Sequence, residues 1–307
     1  MEIESEYVMQ MGRLIRNQNI NLDDKVVLHK KYLEKNCADM NKFLRCGMQM
    51  DVSEGYEPLP FYCSRRDKKA NMVWVGLNPG KRLKKHLRID GDTATWQNVV
   101  DYCIPKDLMN GKNVYNDLLN GGNLTNNYFI FMLRVYMALI GVSEYTGGTW
   151  ENVKEKCAAN NISTGELFKK IIYDYPIINA ELVPYKSPGI SFSSKVLINK
   201  DEYCEYFKGI LKIIAKYSND DAWVIFYGAR EDIIRLFQKN APDWNIDNRV
   251  VEHFKPKDSS FKIYVFEKGD RKIVLLPFFR INGFDIIPLV DRIKEALVKY
   301  EQKEKKS

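Results

Sequence analysis

Four short apolar runs, separated by segments of helical periodicity, constrain the fold of this chain more than any other feature. The runs cover residues 71–75, 176–182, 222–227 and 272–276. Each has the length of a strand and is almost uniformly apolar, which is typical of strands covered on both faces. Their alternation with helices predicts an α/β fold of three layers, α/β/α, around a four-stranded, mainly parallel central sheet.

Several helix signals lie between these runs. Ser163 and Glu166 have the spacing of a capping box, and Asp201 can cap the segment that follows it. A hairpin is predicted over 261–276, leading into the last strand. A frayed tail is expected beyond Tyr300. Further helices are predicted over 127–141, 229–239 and 286–300.

Composition indicates a folded protein with an additional N-terminal segment. The chain has 307 residues, of which 45% are hydrophobic and 12% aromatic, and its net charge is +7. This apolar content suffices for a buried core and excludes disordered and fibrous proteins. Residues 1–60 are charged, helical in pattern and end in a Pro-containing loop. We therefore predict an N-terminal helical extension over 1–60 and an α/β domain over 61–307.

The start of the chain and its longest apolar stretch bear on localisation. The acidic start lacks the basic and apolar segments of a signal peptide. The longest apolar stretch, 129–142, contains Arg134 and is shorter than the roughly 20 residues of a membrane span. We therefore expect a cytoplasmic protein with no membrane association, and we expect it to be a monomer.

Motifs for metals and nucleotide cofactors are absent from the sequence. The six cysteines never occur at C-x-x-C spacing, which favours reduced thiols and leaves an iron–sulfur site built from scattered cysteines as an alternative. Neither G-x-G-x-x-G nor the P-loop motif is present, and there is no H-E-x-x-H. We predict that the protein needs no metal or organic cofactor.

The residues at the ends of the four predicted strands are the candidates for a site, because ligands of open parallel sheets bind beyond the carboxyl ends of the strands. The first strand ends in Gly76-Leu77-Asn78-Pro79-Gly80. The second carries Asn179 and reaches Pro184, and the third ends at Gly228. The fourth opens an irregular loop over 277–283.

In their order, these strand ends resemble the uracil-DNA glycosylase superfamily, over roughly residues 71–299. The first motif is similar to that of the mismatch-specific and thymine-DNA glycosylase branch. The resemblance implies a four-stranded parallel sheet between helices. It also implies a monofunctional reaction in which a flipped pyrimidine is hydrolysed from DNA to leave an abasic site.

The resemblance implies roles for the first two motifs. Asn78 would orient the attacking water, because an amide cannot remove a proton. Gly76, Leu77 and Pro79 would line the pocket, with backbone N–H groups after Pro79 favouring charge on the departing base. Asn179 would read the base edge; the alternative is that it satisfies backbone groups at a strand end.

Gly80 bears on the substrate. In the uracil-specific branch the corresponding position carries a tyrosine that blocks substituents at C5 of the pyrimidine, whereas glycine leaves this wall open. The resemblance therefore implies a pocket for 5-substituted pyrimidines, such as thymine, oxidised methylcytosine, or the hydroxymethylated and glucosylated cytosines of some phage genomes. Alternatively, Gly80 only permits a positive φ in the turn.

The fourth motif departs from the family pattern. Most members carry His-Pro-Ser or Asn-Pro-Ser after the last strand, where this chain has Pro277-Phe278-Phe279-Arg280. Phe278 cannot donate a hydrogen bond, so Arg280 or Asn282 is the candidate replacement for stabilising the leaving base. Phe279 suits an apolar wedge in the duplex. This departure puts uracil in doubt as the substrate and leaves open that activity has been lost.

Basic and polar residues beside the first two motifs are candidates for contacts with DNA phosphates, although a charged run can also be only a solvated face. They are Lys81, Arg82, Lys84 and Lys85 after the first motif, and Tyr185, Lys186 and Ser187 after the second.

The predicted function is therefore a DNA glycosylase that excises a modified or mismatched pyrimidine, either in repair or in defence against phages with modified cytosine. Two alternatives stay open. One is a nucleic-acid-binding module that has kept the fold and lost catalysis, and the other is a hydrolase of free nucleosides or nucleotides.

Overall fold

A computed structural model describes residues 61–76, 101–142, 149–182, 201–228, 230–256, 260–278 and 285–305. The N-terminal extension predicted over 1–60 lies outside the described residues.

The strands of the described residues are β1 (Phe61–Cys63), β2 (Ala70–Gly76), β3 (Leu119–Asn120), β4 (Asn123–Leu124), β5 (Ile177–Glu181), β6 (Ser218–Tyr227), β7 (Val250–Phe254), β8 (Phe261–Lys268) and β9 (Arg271–Leu276). Most of them belong to one seven-stranded sheet, in the order β1-β5-β2-β6-β9-β8-β7. A separate hairpin is formed by β3 and β4.

The sheet is mixed and larger than the four strands predicted. The neighbours β5–β2, β2–β6 and β6–β9 pair parallel, and these are the four apolar runs of the sequence. The other strands, β1, β8 and β7, pair antiparallel and extend the sheet on both sides. β8 is the predicted hairpin partner of β9. β1 and β7 were not predicted, because β1 has only three residues and β7 is interrupted by Glu252 and His253.

Helices connect these strands, and some of their caps follow from the sequence. The capping box is confirmed, since the Glu166 N–H donates to Ser163 Oγ at 3.1 Å and the Ser163 N–H donates to Glu166 Oε2 at 2.6 Å. The helices are α1 (Asn127–Ile140), α2 (Trp150–Ala159), α3 (Thr164–Asp174), α4 (Asp201–Tyr217), α5 (Arg230–Asn240) and α6 (Ile287–Glu304).

The prediction of a frayed tail beyond Tyr300 is wrong, because α6 continues to Glu304. The last turns of α6 are held by contacts with the neighbouring edge of the sheet. Lys299 pairs with Glu252 of β7, and the Lys303 ammonium donates to the carbonyl of Asn248 at 3.1 Å. These side-chain contacts depend on the position of β7, which local sequence does not reveal.

Helices cover both faces of the sheet. Phe226 of β6 packs against Phe237 of α5 with ring centroids 5.3 Å apart, whereas the next residue, Tyr227, packs against Phe131 of α1 at 5.1 Å. Because successive side chains of a strand point to opposite faces, α1 and α5 lie on different sides of the sheet. Phe207 places α4 beside α5. The functional candidates described next lie on the α1 face.

Candidate functional site

The parallel strands bring their carboxyl ends to one edge of the sheet. Gly76 at the end of β2 is paired with Glu181 at the end of β5, and Tyr227 of β6 is paired with Leu276 of β9. The alignment continues one residue further, where the Leu182 N–H donates to the carbonyl of Gly76 at 2.8 Å. We call this the carboxyl edge, and the segments that follow the four strands all leave from it.

Gly76 lies where no larger residue fits. A Cβ atom at this position would lie 2.7 Å from Glu181 Oε2 and closer still to the Tyr128 hydroxyl. Tyr128 is in the first turn of α1, where its N–H donates to the N-cap side chain of Asn126 at 3.0 Å. Two polar side chains from different elements therefore converge on the bare Cα of Gly76.

A Gly76→Ala substitution is expected to lower the free energy of unfolding by about 1–3 kcal/mol, the usual effect of overpacking a closed interior. Chemical denaturation of the variant measures this loss. The variant Tyr128→Phe removes the closest atom, so Gly76→Ala should be less destabilising in a Tyr128→Phe background. Equal losses in both backgrounds would show that the Tyr128 hydroxyl does not cause the crowding.

Glu181 is a buried carboxyl at this edge. Its side chain is on the α1 face, and the residue is 5% exposed. Burial raises its pKa from the ordinary value of 4.5 to about 8, because a low dielectric disfavours the charged form. At neutral pH the group is therefore mostly a neutral carboxylic acid, which has one O–H donor and one carbonyl acceptor.

Two phenols of the described residues lie near the Glu181 carboxyl. Burial raises the pKa of Tyr62 on β1 and of Tyr128 on α1, and the nearby Glu181 raises both further. The Tyr128 hydroxyl is buried, and among the described residues no partner has both the distance and the angles of a hydrogen bond to it. The same is true of the indole N–H of Trp74. The two rings meet edge to face with centroids 6.2 Å apart, and the indole lowers the pKa of Tyr128 slightly against the larger effect of burial.

A cluster of aromatic rings, tilted or edge-on to one another, extends from the surface at the carboxyl edge into the core. Phe278, two residues beyond β9, is 41% exposed, and its ring lies 5.4 Å from that of Tyr227. Behind Tyr227 follow Trp74 at 5.5 Å and Tyr128 at 5.8 Å. An exposed ring supported by buried rings is a surface on which a planar ligand can stack.

Asn179 lies deeper than this edge. It is two residues before Glu181 on the same face of β5, it pairs with Trp74, and it is fully buried. Its Oδ1 accepts from the Tyr115 hydroxyl at 3.3 Å, and its Nδ2 donates to the sulfur of Met132 at 3.2 Å. The amide is thus hydrogen-bonded inside the core, and its role in base reading stays a prediction.

Tyr115 is positioned by a turn that sequence reasoning did not resolve. Oδ1 of Asn113, which is 1% exposed, accepts from the N–H of Tyr115 at 3.1 Å and of Asn116 at 3.0 Å. This local geometry places the Tyr115 ring over β1, where it meets Tyr62 at 5.6 Å. The polar contact with Asn179 therefore belongs to a well-packed core.

Of the residues predicted for the site, the structure describes Gly76, Asn179 and Phe278, and it brings Gly76 and Phe278 to the carboxyl edge. Sequence reasoning missed Glu181. One feature of the sequence could have identified it: Glu181 is a second polar residue, two positions after Asn179, in the otherwise apolar strand Ile177–Glu181. The remaining predicted residues lie outside the described ranges: Leu77, Asn78, Pro79, Gly80, Lys81, Arg82, Lys84, Lys85, Tyr185, Lys186, Ser187, Phe279, Arg280 and Asn282.

Within the described ranges, no three His, Cys, Asp or Glu side chains form a group that could hold a metal ion. No helix of the described part is long and apolar enough to cross a membrane. No family model and no curated protein matches this chain.

Proposed function

We propose that this chain is a monofunctional DNA glycosylase of the uracil-DNA glycosylase type, which hydrolyses the N-glycosidic bond of a flipped, modified or mismatched pyrimidine. The observation that carries the proposal is the order and direction of four strands. β5, β2, β6 and β9 are neighbours and run parallel. The four segments singled out in the sequence therefore all begin at the carboxyl edge.

The aromatic cluster at this edge supports a base-binding role. A base that leaves the duplex loses stacking worth a few kcal/mol, and the enzyme must replace it with aromatic or apolar contacts. Phe278 offers an exposed ring, and Tyr227 supports that ring from behind. The same face carries the carboxyl of Glu181, which is buried beside Gly76.

The proposed reaction uses the motif that follows β2. Asn78 comes two residues after Gly76, and its side-chain carbonyl would orient a water molecule toward C1′ of the sugar. Orientation alone accelerates a reaction substantially when it holds the reacting atom close to the position from which it attacks. The chain has 47 Lys and Arg against 40 Asp and Glu. This excess of positive charge fits a polyanionic substrate, whose binding should weaken as the salt concentration rises.

Excision from defined duplexes tests this function. Purified protein is incubated with duplexes that carry uracil, mismatched thymine, 5-hydroxymethylcytosine or its glucosylated form, and abasic sites are then cleaved with alkali. We expect strand cleavage for at least one 5-substituted pyrimidine. Intact strands for every base would refute the glycosylase proposal.

The variant Asn78→Ala is expected to lose about 100-fold in single-turnover excision rate while it keeps its affinity for DNA. The control is Asn248→Ala, which should excise like the wild type; Asn248 is a half-buried asparagine next to the far edge strand β7, and its Nδ2 donates to Glu304 Oε1 at 3.0 Å. DNA binding without cleavage in the wild type would favour a binding module. Cleavage of free nucleosides with no dependence on salt would favour a nucleoside hydrolase.

A further inference from the structure

We propose that the hairpin of β7 and β8 holds the DNA backbone beside the extruded nucleotide, through a basic strip formed by His253, Lys255 and Lys262. The inference rests on the proposed glycosylase function and deepens it, because phosphate contacts at this distance from the base require a polymeric substrate. No sequence motif pointed to these residues.

The edge strand β7 separates its charged side chains between two faces. Side chains at successive positions of a strand point to opposite sides of the sheet. Glu252 points toward α6, where it pairs with Lys299. His253, the next residue, therefore points to the other side, and Lys255 follows at the next alternate position. The acidic side chain of β7 is thus turned away from the basic strip.

The basic strip lies on the α5 face of the sheet, at a part that α5 leaves uncovered. On β8, Tyr264 and Lys262 are two residues apart and share a face, and the Tyr264 hydroxyl donates to Glu231 of α5. Val251 is paired with Tyr264, and His253 is paired with Lys262. Val251 is 42% exposed, and all three residues of the basic strip are exposed as well. A ligand can therefore reach this surface from solvent.

Two carboxylates border the basic strip, and each is engaged by a neighbour. Asp247 lies 3.6 Å from the guanidinium of Arg249 and accepts a hydrogen bond from Gln238 at 2.6 Å. Glu231 accepts from the Tyr264 hydroxyl. Since Arg249 and Asp247 balance each other, the two lysines of the basic strip outweigh Glu231. The strip is therefore positive and complementary to an anion.

The pairing of His253 with Lys262 indicates the kind of anion. The two residues lie directly opposite each other on adjacent strands, so their Cβ atoms are about 5 Å apart. Like charges in this arrangement destabilise a sheet, and a phosphate between the two side chains would offset their repulsion. A neutral imidazole still has one N–H to donate to such an oxygen.

The register of the sheet places the basic strip next to the exposed ring of Phe278. Tyr264 is opposite Leu275, so Lys262 is level with residue 277 at the carboxyl edge. Neighbouring strands are about 4.8 Å apart, and β7 therefore lies about 10 Å from β9. His253 is thus within a few nucleotides of a base that contacts Phe278. The ring of Phe278 is on the α1 face, so the DNA backbone would cross the carboxyl edge to reach the strip.

Contacts of this kind set the register of the DNA without reading its sequence. They strengthen binding by releasing counterions from the phosphates, so their loss lowers the salt dependence of the affinity. A free nucleoside has no phosphates to place on the basic strip. The strip therefore contributes only when the substrate is a polymer.

The first test removes the two lysines in the double variant Lys255→Ala/Lys262→Ala. Its binding to a fluorescently labelled duplex is measured by anisotropy between about 50 and 200 mM salt. We expect the slope of log affinity against log salt to fall by about 2, with at least about tenfold weaker binding at the lowest salt. The matched control is Lys68→Ala/Lys170→Ala, which removes two exposed lysines near the opposite ends of the parallel strands and should bind like the wild type.

The second test adds a cation to the same surface through Val251→Lys. We expect tighter binding and a salt slope steeper by about 1. Val298→Lys is the matched control, since Val298 is an exposed valine of α6, with 52% of its surface accessible, and this variant should bind like the wild type. Because damage to the fold does not tighten binding, this comparison decides the question even if the double alanine variant is unstable.

Excision assays separate binding from chemistry. In Lys255→Ala/Lys262→Ala we expect the half-saturating protein concentration to rise about tenfold, while the single-turnover rate at saturating protein stays at the wild-type value. If the wild type excises bases and neither variant differs from its control, the basic strip does not contact DNA, while the glycosylase function stands. If the salt slopes change as expected and no base is excised, the strip binds DNA and the glycosylase function fails. A wild-type dimer that Val251→Lys dissociates would assign this surface to a second copy of the chain and overturn the proposal.

Discussion

Replacing Trp74 with alanine is expected to lower the free energy of unfolding by about 3–5 kcal/mol, the usual range for removing a large buried aromatic side chain. Trp74 is at the middle of β2 and is fully buried. Its ring is surrounded by those of Tyr128, Phe131 and Tyr227, with centroids 5.5 to 6.2 Å away. The cavity left by the indole has rigid walls, so we expect little collapse and a loss near the upper end of this range.

Urea denaturation of Trp74→Ala and Trp74→Phe measures this effect. The phenylalanine variant keeps an aromatic ring in contact with its neighbours. It also removes the indole N–H, which makes no hydrogen bond of acceptable distance and angle within the described residues. It should therefore lose less than half as much stability as the alanine variant. A loss below about 1 kcal/mol for Trp74→Ala would mean that the core under the site is loosely packed.

The second large effect is a dependence of stability on pH that originates in Glu181. Its pKa is raised from 4.5 to about 8 in the folded protein, so the folded state binds more protons than the unfolded state between these values. The free energy of unfolding therefore falls as the pH rises from 4.5 to 8 and is level above that interval. Since one pKa unit corresponds to about 1.4 kcal/mol, the full shift corresponds to roughly 5 kcal/mol.

The variant Glu181→Gln isolates this contribution, because glutamine has nearly the same shape and does not titrate. We expect the difference in stability between variant and wild type to shift in favour of the variant by several kcal/mol between pH 5 and pH 8. Denaturation curves at half-unit steps measure it. Glu155→Gln corrects for the loss of one acidic group at an exposed site. A difference that stays constant with pH would contradict the raised pKa.

Local sequence was sufficient to predict the elements whose signals lie within a few residues. The capping box of Ser163 and Glu166 starts α3, and Gly141, with a φ of 76°, ends α1. The four apolar runs are strands because a strand buried on both faces must be apolar at every position. These features depend on neighbours in the chain, which the sequence shows directly.

Edge strands were harder to predict because their pattern is weaker. β1 has three residues, and every residue of β7 before Phe254 is exposed or half-buried, so neither produces a continuous apolar run. Their pairing adds three antiparallel contacts, β1–β5, β7–β8 and β8–β9, to the parallel strands. Only β8–β9 was predicted. The β7–β8 pairing also joins neighbouring segments, but the weak pattern of β7 conceals it, whereas β1–β5 joins residues far apart in the chain.

The sequence by itself determined which residues end the parallel strands, and therefore which segments meet at the carboxyl edge. Only the tertiary structure decided that Asn179 is hydrogen-bonded within the core, and that Glu181 and Tyr128 converge on Gly76. The physical reason is that burial and register are set by contacts between distant segments. Tyr128 and Glu181 are far apart in the chain, and the raised pKa of Glu181 arises only when α1, β1 and β2 exclude water from its carboxyl.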